Sequence, residues 1–220
     1  MSQPLLPVPL LVIAVTLLIR AEFRSEQRQI YFLKPLSTLL VILIAVLSLW
    51  TPDMEAGYTV GILVGLLLSL GGDVALMFPS GRAFLVGLVF FLLGHVAYAV
   101  TFTLFNGFYL ADLASAGVLL VLAAAVYRYL KPGLERMKGP VIAYTAIICI
   151  MVNRAFSTLF GTTFTPTQAW LLTVGAFLFW FSDLILAVDR FRRPFEYHRI
   201  NLALYYGGQL LIALSPAYFG

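Results

Sequence analysis

The sequence predicts an all-α fold, a polytopic membrane bundle of eight transmembrane helices, and three observations predict it. Of 220 residues, 61% are hydrophobic and only 11% charged, with a mean hydropathy of +0.97. A soluble domain has no interior large enough to hide that much apolar surface. The apolar residues come in blocks near the ~20 residues that cross a hydrocarbon core, not at amphipathic spacing. Thirteen of the fourteen Lys and Arg fall in alternate connections between those blocks, a pattern that an odd number of helices would scramble.

The blocks lie at residues 5–19, 34–50, 57–78, 83–105, 110–130, 139–160, 166–189 and 199–219. The first is the shortest. It reads as a retained helix and not a cleaved signal, because Met1-Ser2-Gln3 lacks basic residues and no small-x-small site precedes Arg20. No Ser/Gly linker or low-complexity tract divides the chain, so residues 1–220 are expected to form a single transmembrane domain.

The basic connections hold Arg20, Arg24, Arg28 and Lys34; then Arg82; then Arg128, Lys131, Arg136 and Lys138; then Arg190, Arg192, Arg193 and Arg199. The positive-inside rule puts this side in the cytoplasm and both termini outside. The opposite connections carry Asp53, Glu55 and Asp112. A sequence pI near 9.3 is therefore a topology signal and an attraction to anionic membrane lipids. It does not point to nucleic acid, since no Lys/Arg run alternates with aromatics on a solvated surface. An unadorned N-terminus and a short chain fit a multi-pass protein of a bacterial inner membrane, a eukaryotic endomembrane being the alternative. Cys149, the single cysteine, has no partner for a disulfide or a thiolate metal cluster and is expected to pack inertly.

Ionisable groups inside a bilayer are costly and default to functional roles. Asp73 and Asp183 each sit about six residues, roughly 9 Å, from the cytoplasmic end of helices 3 and 7. Those helices run the same way, so the two carboxylates share a depth. The structural alternatives for Asp73 are a neighbouring helix, Arg82 or Arg154. Val64-Gly65 precedes Asp73 as Val174-Gly175 precedes Asp183, 110 residues further on. That offset hints at two parallel four-helix repeats, with the acids at their interface. Gly71 and Gly72 would let a helix or a headgroup approach the carboxylate.

Helix 4 carries His95 and Tyr98 on one face, near the bilayer middle. Helix 8 carries Asn201, Tyr205 and Gln209 as a polar stripe. Ordinary interhelical hydrogen bonding is the bland reading of both. Asp189 stands at the boundary among arginines, either paired there or guiding a headgroup. Helix 6 adds Asn153 and Arg154, the latter either snorkelling outward or neutralising a carboxylate. Lys34-Pro35 is expected to open helix 2, proline fitting a first turn, with Lys34 either an interfacial anchor or a phosphate contact. No HExxH, Cys/His spacing, nucleophile elbow or phosphate loop is present, and His198 is interfacial. The chemistry on offer is acid and base.

Gly72-Asp73 with Leu76-Met77, then Phe84, Gly87 and the run from Phe91 through Gly94-His95-Val96-Ala97-Tyr98, then Ser182-Asp183-Leu184-Ile185-Leu186-Ala187 and Gln209-Leu210-Leu211-Ile212-Ala213, resemble the YhhN-type lysoplasmalogenase family. With Lys34-Pro35 the resemblance spans nearly the whole chain. It departs in having Gly208 where the family pattern carries alanine.

The resemblance implies a membrane hydrolase that cleaves the vinyl ether of a lysoplasmalogen, a lysophospholipid, to a fatty aldehyde and glycerophospho-ethanolamine or -choline, with no metal or organic cofactor. Such a bond breaks by protonation of the outer alkene carbon and water addition to the oxocarbenium ion. That chemistry calls for one protonated and one ionised carboxyl, as in glycoside hydrolysis. Asp73 and Asp183 are the expected catalytic pair. Lys34, His95, Tyr98, Asn153, Ser182, Asp189, Tyr205 and Gln209 are the expected substrate-binding residues. A lipid or proton-coupled transporter would use the same intramembrane acids.

Overall fold

The computed structural model describes residues 3–52, 54–194 and 198–219, the side chain of His198 excepted. The expectations for Asp53 and for His198 at the interface fall outside the described residues. Among the described residues eight α-helices follow one another: α1 (Val8–Phe23), α2 (Gln27–Leu47), α3 (Ala56–Leu76), α4 (Gly81–Leu104), α5 (Leu110–Leu130), α6 (Lys138–Ser157), α7 (Pro166–Phe191) and α8 (Asn201–Leu214). Their starts use ordinary caps. Ser80 accepts from the Ala83 N–H, and Thr165 accepts from the Gln168 N–H ahead of Pro166 in the first turn.

Among the described residues seven helical segments are long and apolar enough to cross a membrane. The eighth predicted span, α8, is present but is not among them. It has fourteen helical residues with short 3₁₀ turns at either end, and Asn201, Tyr205, Tyr206 and Gln209 dilute its hydropathy. Those tyrosines and Gln209 are buried against other helices.

One boundary differs materially from expectation. α2 begins at Gln27, so Pro35 lies inside the helix and does not open it. The polar stretch Gln27-Arg28-Gln29 hid this first turn from a hydropathy reading. Lys34 therefore sits about seven residues, roughly 10 Å, into the helix, and is only 8% exposed. It is no interfacial anchor.

The molecule is inverted relative to a soluble protein. Leucines and valines such as Leu110, Leu113, Leu120 and Val121 stand exposed, whereas Lys34, Asp73, His95, Arg154 and Gln209 are buried, as expected where lipid is the solvent. A core of Val41, Ile44, Tyr58, Ile62, Leu66, Tyr98, Leu172, Ala176, Phe179 and Ile212 joins α2, α3, α4, α7 and α8.

The pairing of helices repeats with a shift of four. α1 packs on α2, α2 on α3, α3 on α4 and α4 on α6; correspondingly α5 packs on α6, α6 on α7, α7 on α8 and α8 on α2. The two Val-Gly pairs sit at equivalent crossings. A Cβ at Gly94 of α4 would stand 3.2 Å from the Gly65 carbonyl of α3, and one at Gly175 of α7 would stand 3.0 Å from the Gly208 carbonyl of α8. Glycine at these points lets the backbones touch. Gly71 and Gly72 serve a humbler purpose, giving space to the Phe90 and Phe91 rings.

Candidate active site

At the end of the bundle that carries the basic connections, α1, α2, α3, α4, α7 and α8 surround a cavity of about 370 Å³. Asp73 and Asp183 both line it, and so do Lys34, Ser182, Asp189 and Tyr205 of the expected site residues. The walls next to them include Glu22, Arg190, Arg199 and Asn201.

Asp73 occupies the buried wall, 1% exposed. Its Oδ2 accepts hydrogen bonds from Thr38 Oγ1 at 2.6 Å and Tyr205 Oη at 2.7 Å, and Lys34 Nζ lies 3.7 Å from its Oδ1. The partner is Lys34, not Arg82 or Arg154. A second layer steadies these donors. Tyr206 donates to the Lys34 carbonyl at 3.0 Å and bonds Thr38 at 3.2 Å, while Gln209 donates to Tyr205 at 3.4 Å and accepts from Tyr98 at 2.9 Å. Tyr98 and Gln209 thus act behind the cavity, through Tyr205. The cation and the two hydroxyl donors favour the charged form of this carboxyl, against the cost of burying it.

Asp183 is set differently. It is half-buried, and Tyr144 of α6 donates to its Oδ2 at 2.5 Å. It stands where the polar cavity meets a narrow apolar pocket lined by Leu88, Val126, Tyr144, Ile148 and Trp180, the two spaces sharing Leu76, Phe84, Phe91 and Leu186. His95 is buried, with its ring edge-on to Tyr144 and Phe179 at centroid distances of 5.3 and 4.6 Å. Neither ring nitrogen has a hydrogen-bond partner among the described residues. Ser182 is buried beside Asp183 on the cavity wall.

Asn153 is not brought to this cavity. It lies toward the opposite end, donating to the Asp112 carbonyl at 2.9 Å and to Ser115 Oγ at 2.7 Å. Its neighbour Arg154 neutralises Asp112 at 2.9 Å, which settles the sequence's two alternatives in favour of a carboxylate partner.

Residues that sequence reasoning passed over include Thr38, Tyr144, Tyr206, Glu22, Arg190 and Arg199. Arg199 pairs with Glu22 across α1 and the turn before α8, and Arg190 lies over the Phe84 ring, 5.0 Å from its centroid. One signal could have found Tyr144: it follows Lys34 by the same 110 residues that separate the two aspartates.

The YhhN family model matches residues 29–216. The chain is 35% identical over 158 residues to the Bos taurus protein named lysoplasmalogenase TMEM86A, covering 70% of this chain and 64% of that one. It is 33% identical over 172 residues to the Homo sapiens lysoplasmalogenase TMEM86B, covering 76% and 68%. It is 30% identical over 200 residues to the Escherichia coli membrane protein YhhN, covering 89% and 90%. The match to the bovine relative thus spans just under two thirds of that protein's length. No solved structure matches the chain.

Proposed function

Because the chain belongs to the YhhN family, we propose that it is a lysoplasmalogenase, hydrolysing the vinyl ether of a lysoplasmalogen to a fatty aldehyde and a glycerophospho-alcohol inside the membrane. The single observation that carries this reading is that two intramembrane aspartates line one cavity, with Asp183 at its junction with an apolar pocket. The names of the bovine and human relatives supply the reaction.

The cavity's chemistry matches the parts of such a lipid. Lys34, Arg190 and Arg199 offer cations to the phosphate, while Glu22 and Asp189 offer carboxylates to the ammonium of ethanolamine or choline. The glycerol and the enol ether would lie between Asp73 and Asp183. The alkenyl chain would continue along Phe84, Phe91, Val126 and Ile148. With the basic end in the cytoplasm, the substrate approaches from the cytoplasmic leaflet.

In the reaction one carboxyl gives its proton to the outer alkene carbon, whose π electrons form the new C–H bond and leave an oxocarbenium ion. Water adds to the ether-bearing carbon as the other carboxyl takes its proton, and the hemiacetal then collapses. General acid–base help of this kind contributes roughly 10²–10⁴-fold. The test is aldehyde release from a defined lysoplasmalogen by purified protein in detergent. Turnover by the wild type, lost in both Asp73→Asn and Asp183→Asn, supports the reading. Absence of aldehyde from folded wild-type protein overturns it and favours a transporter, which makes no product.

A further inference from the structure

The four-helix shift that relates the two halves of the bundle also relates their functional corners, residue by residue. At a spacing of 110 residues, Asp73 corresponds to Asp183, Lys34 to Tyr144, Thr38 to Ile148 and Tyr205 to His95. The contacts follow the correspondence. Lys34 of α2 meets Asp73 of α3, and Tyr144 of α6 meets Asp183 of α7. Tyr205 of α8 reaches across the halves to the first corner, and His95 of α4 reaches across to Tyr144 in the second.

The partners differ in kind. At the first corner a cation and two hydroxyls surround the carboxylate. At the second the cation has become a phenol, Thr38 has become aliphatic Ile148, and the imidazole donates to no described residue. Among the described residues no cation forms an ion pair with Asp183. Lys34 is drawn to Asp73, Arg199 to Glu22, and Arg190 covers Phe84.

Resting on the hydrolase reading for its chemical use, we infer that this is a duplicated acid site made unequal at the Lys34/Tyr144 position, with Asp73 the resident carboxylate and Asp183 the proton donor. Lys34 and Tyr144 are the positioning residues that set the difference. An anion is stabilised where a cation and several donors converge, whereas a carboxyl with no paired cation and a single phenol donor, at the edge of an apolar pocket, holds its proton more readily.

The cycle then closes. Asp183 protonates the outer alkene carbon and becomes a carboxylate. Asp73 takes a proton from the water that adds to the oxocarbenium carbon. As the hemiacetal collapses, its hydroxyl proton returns to Asp183 while Asp73 hands its proton to the departing glycerol oxygen. Both groups end as they began, and one water is consumed.

Infrared spectroscopy of the substrate-free protein tests this without reference to any reaction. The wild type should show the carbonyl stretch of a protonated carboxylic acid, and Asp183→Asn should remove it. Lys34→Met should add a second such band as Asp73 loses its cation. A band that survives in Asp183→Asn, or an unchanged spectrum in Lys34→Met, overturns the assignment.

The activity arm uses Tyr144. Tyr144→Lys should ionise Asp183, abolish the band and lower aldehyde release by about 100-fold or more, whereas Tyr144→Phe should keep the band and stay within about tenfold of wild type. Wild-type turnover in Tyr144→Lys overturns the assignment. A protein that releases no aldehyde but shows the expected bands loses the hydrolase reading and keeps the unequal pair.

Discussion

Two buried carboxylate–cation pairs sit at opposite ends of the bundle, and they are built on different plans. Asp112 and Arg154 form a closed knot. The guanidinium holds Asp112 at 2.9 Å, Thr103 Oγ1 at 3.1 Å and the Gly107 carbonyl at 2.6 Å, with the Phe108 ring 4.3 Å away. Asp112 also accepts from the Tyr109 N–H at 2.9 Å, tying the start of α5 to α4 and α6. Asp73 and Lys34 are looser, at 3.7 Å, and face an open cavity. A buried pair whose remaining donors are spent on nearby backbone and hydroxyls fastens helices together. A pair that keeps room beside it retains capacity for a ligand.

The largest expected effects lie at the open end. Asp73→Asn and Asp183→Asn should each cut aldehyde release by about 10³-fold, with the detergent unfolding temperature little changed; equal activity in either would erase the distinction between the two ends. At the closed end the sign reverses. Arg154→Met leaves Asp112 buried without its cation and should cost about 3–5 kcal/mol of stability, read by thermal unfolding in detergent, while turnover per folded molecule holds. If Arg154→Met instead lowers turnover at unchanged stability, the knot is functional after all.

Two neighbouring glycines sharpen the comparison further. A methyl at Gly208 would meet the Gly175 carbonyl at 2.7 Å and the Phe179 backbone nitrogen at 2.9 Å, whereas one at Gly207 finds its nearest atom 3.6 Å away. Gly208→Ala should therefore destabilise by about 1–3 kcal/mol and Gly207→Ala hardly at all, a difference that one pair of melting curves resolves. The smallest effect belongs to Tyr98→Phe. Losing one buried hydrogen bond to Gln209 should cost about 1 kcal/mol and slow turnover only severalfold, because Tyr98 acts through Tyr205.

The eight helices were legible because lipid demands long apolar runs. The two aspartates were legible because a carboxylate stands out in such a run. Tyr144, Thr38 and Tyr206 were not, since tyrosine and threonine are unremarkable in a transmembrane helix until a packed neighbour gives the hydroxyl something to bond. Asn153 lies apart from the cavity because a polar side chain inside a helix does not show which neighbour it meets, and here Asn153 and Arg154 both meet Asp112. The start of α2 was missed for a different reason. Polar residues at an interface look like a loop to hydropathy, and Pro35 then looked like a helix opening.

The four-helix shift has a historical consequence. A symmetrical assembly of two identical four-helix chains would present the same side chain at both corners, so both would hold lysine or both tyrosine. Joining the halves in one polypeptide removes that constraint and lets each corner change alone. The difference between Lys34 and Tyr144 is one that two copies of a single chain could not carry.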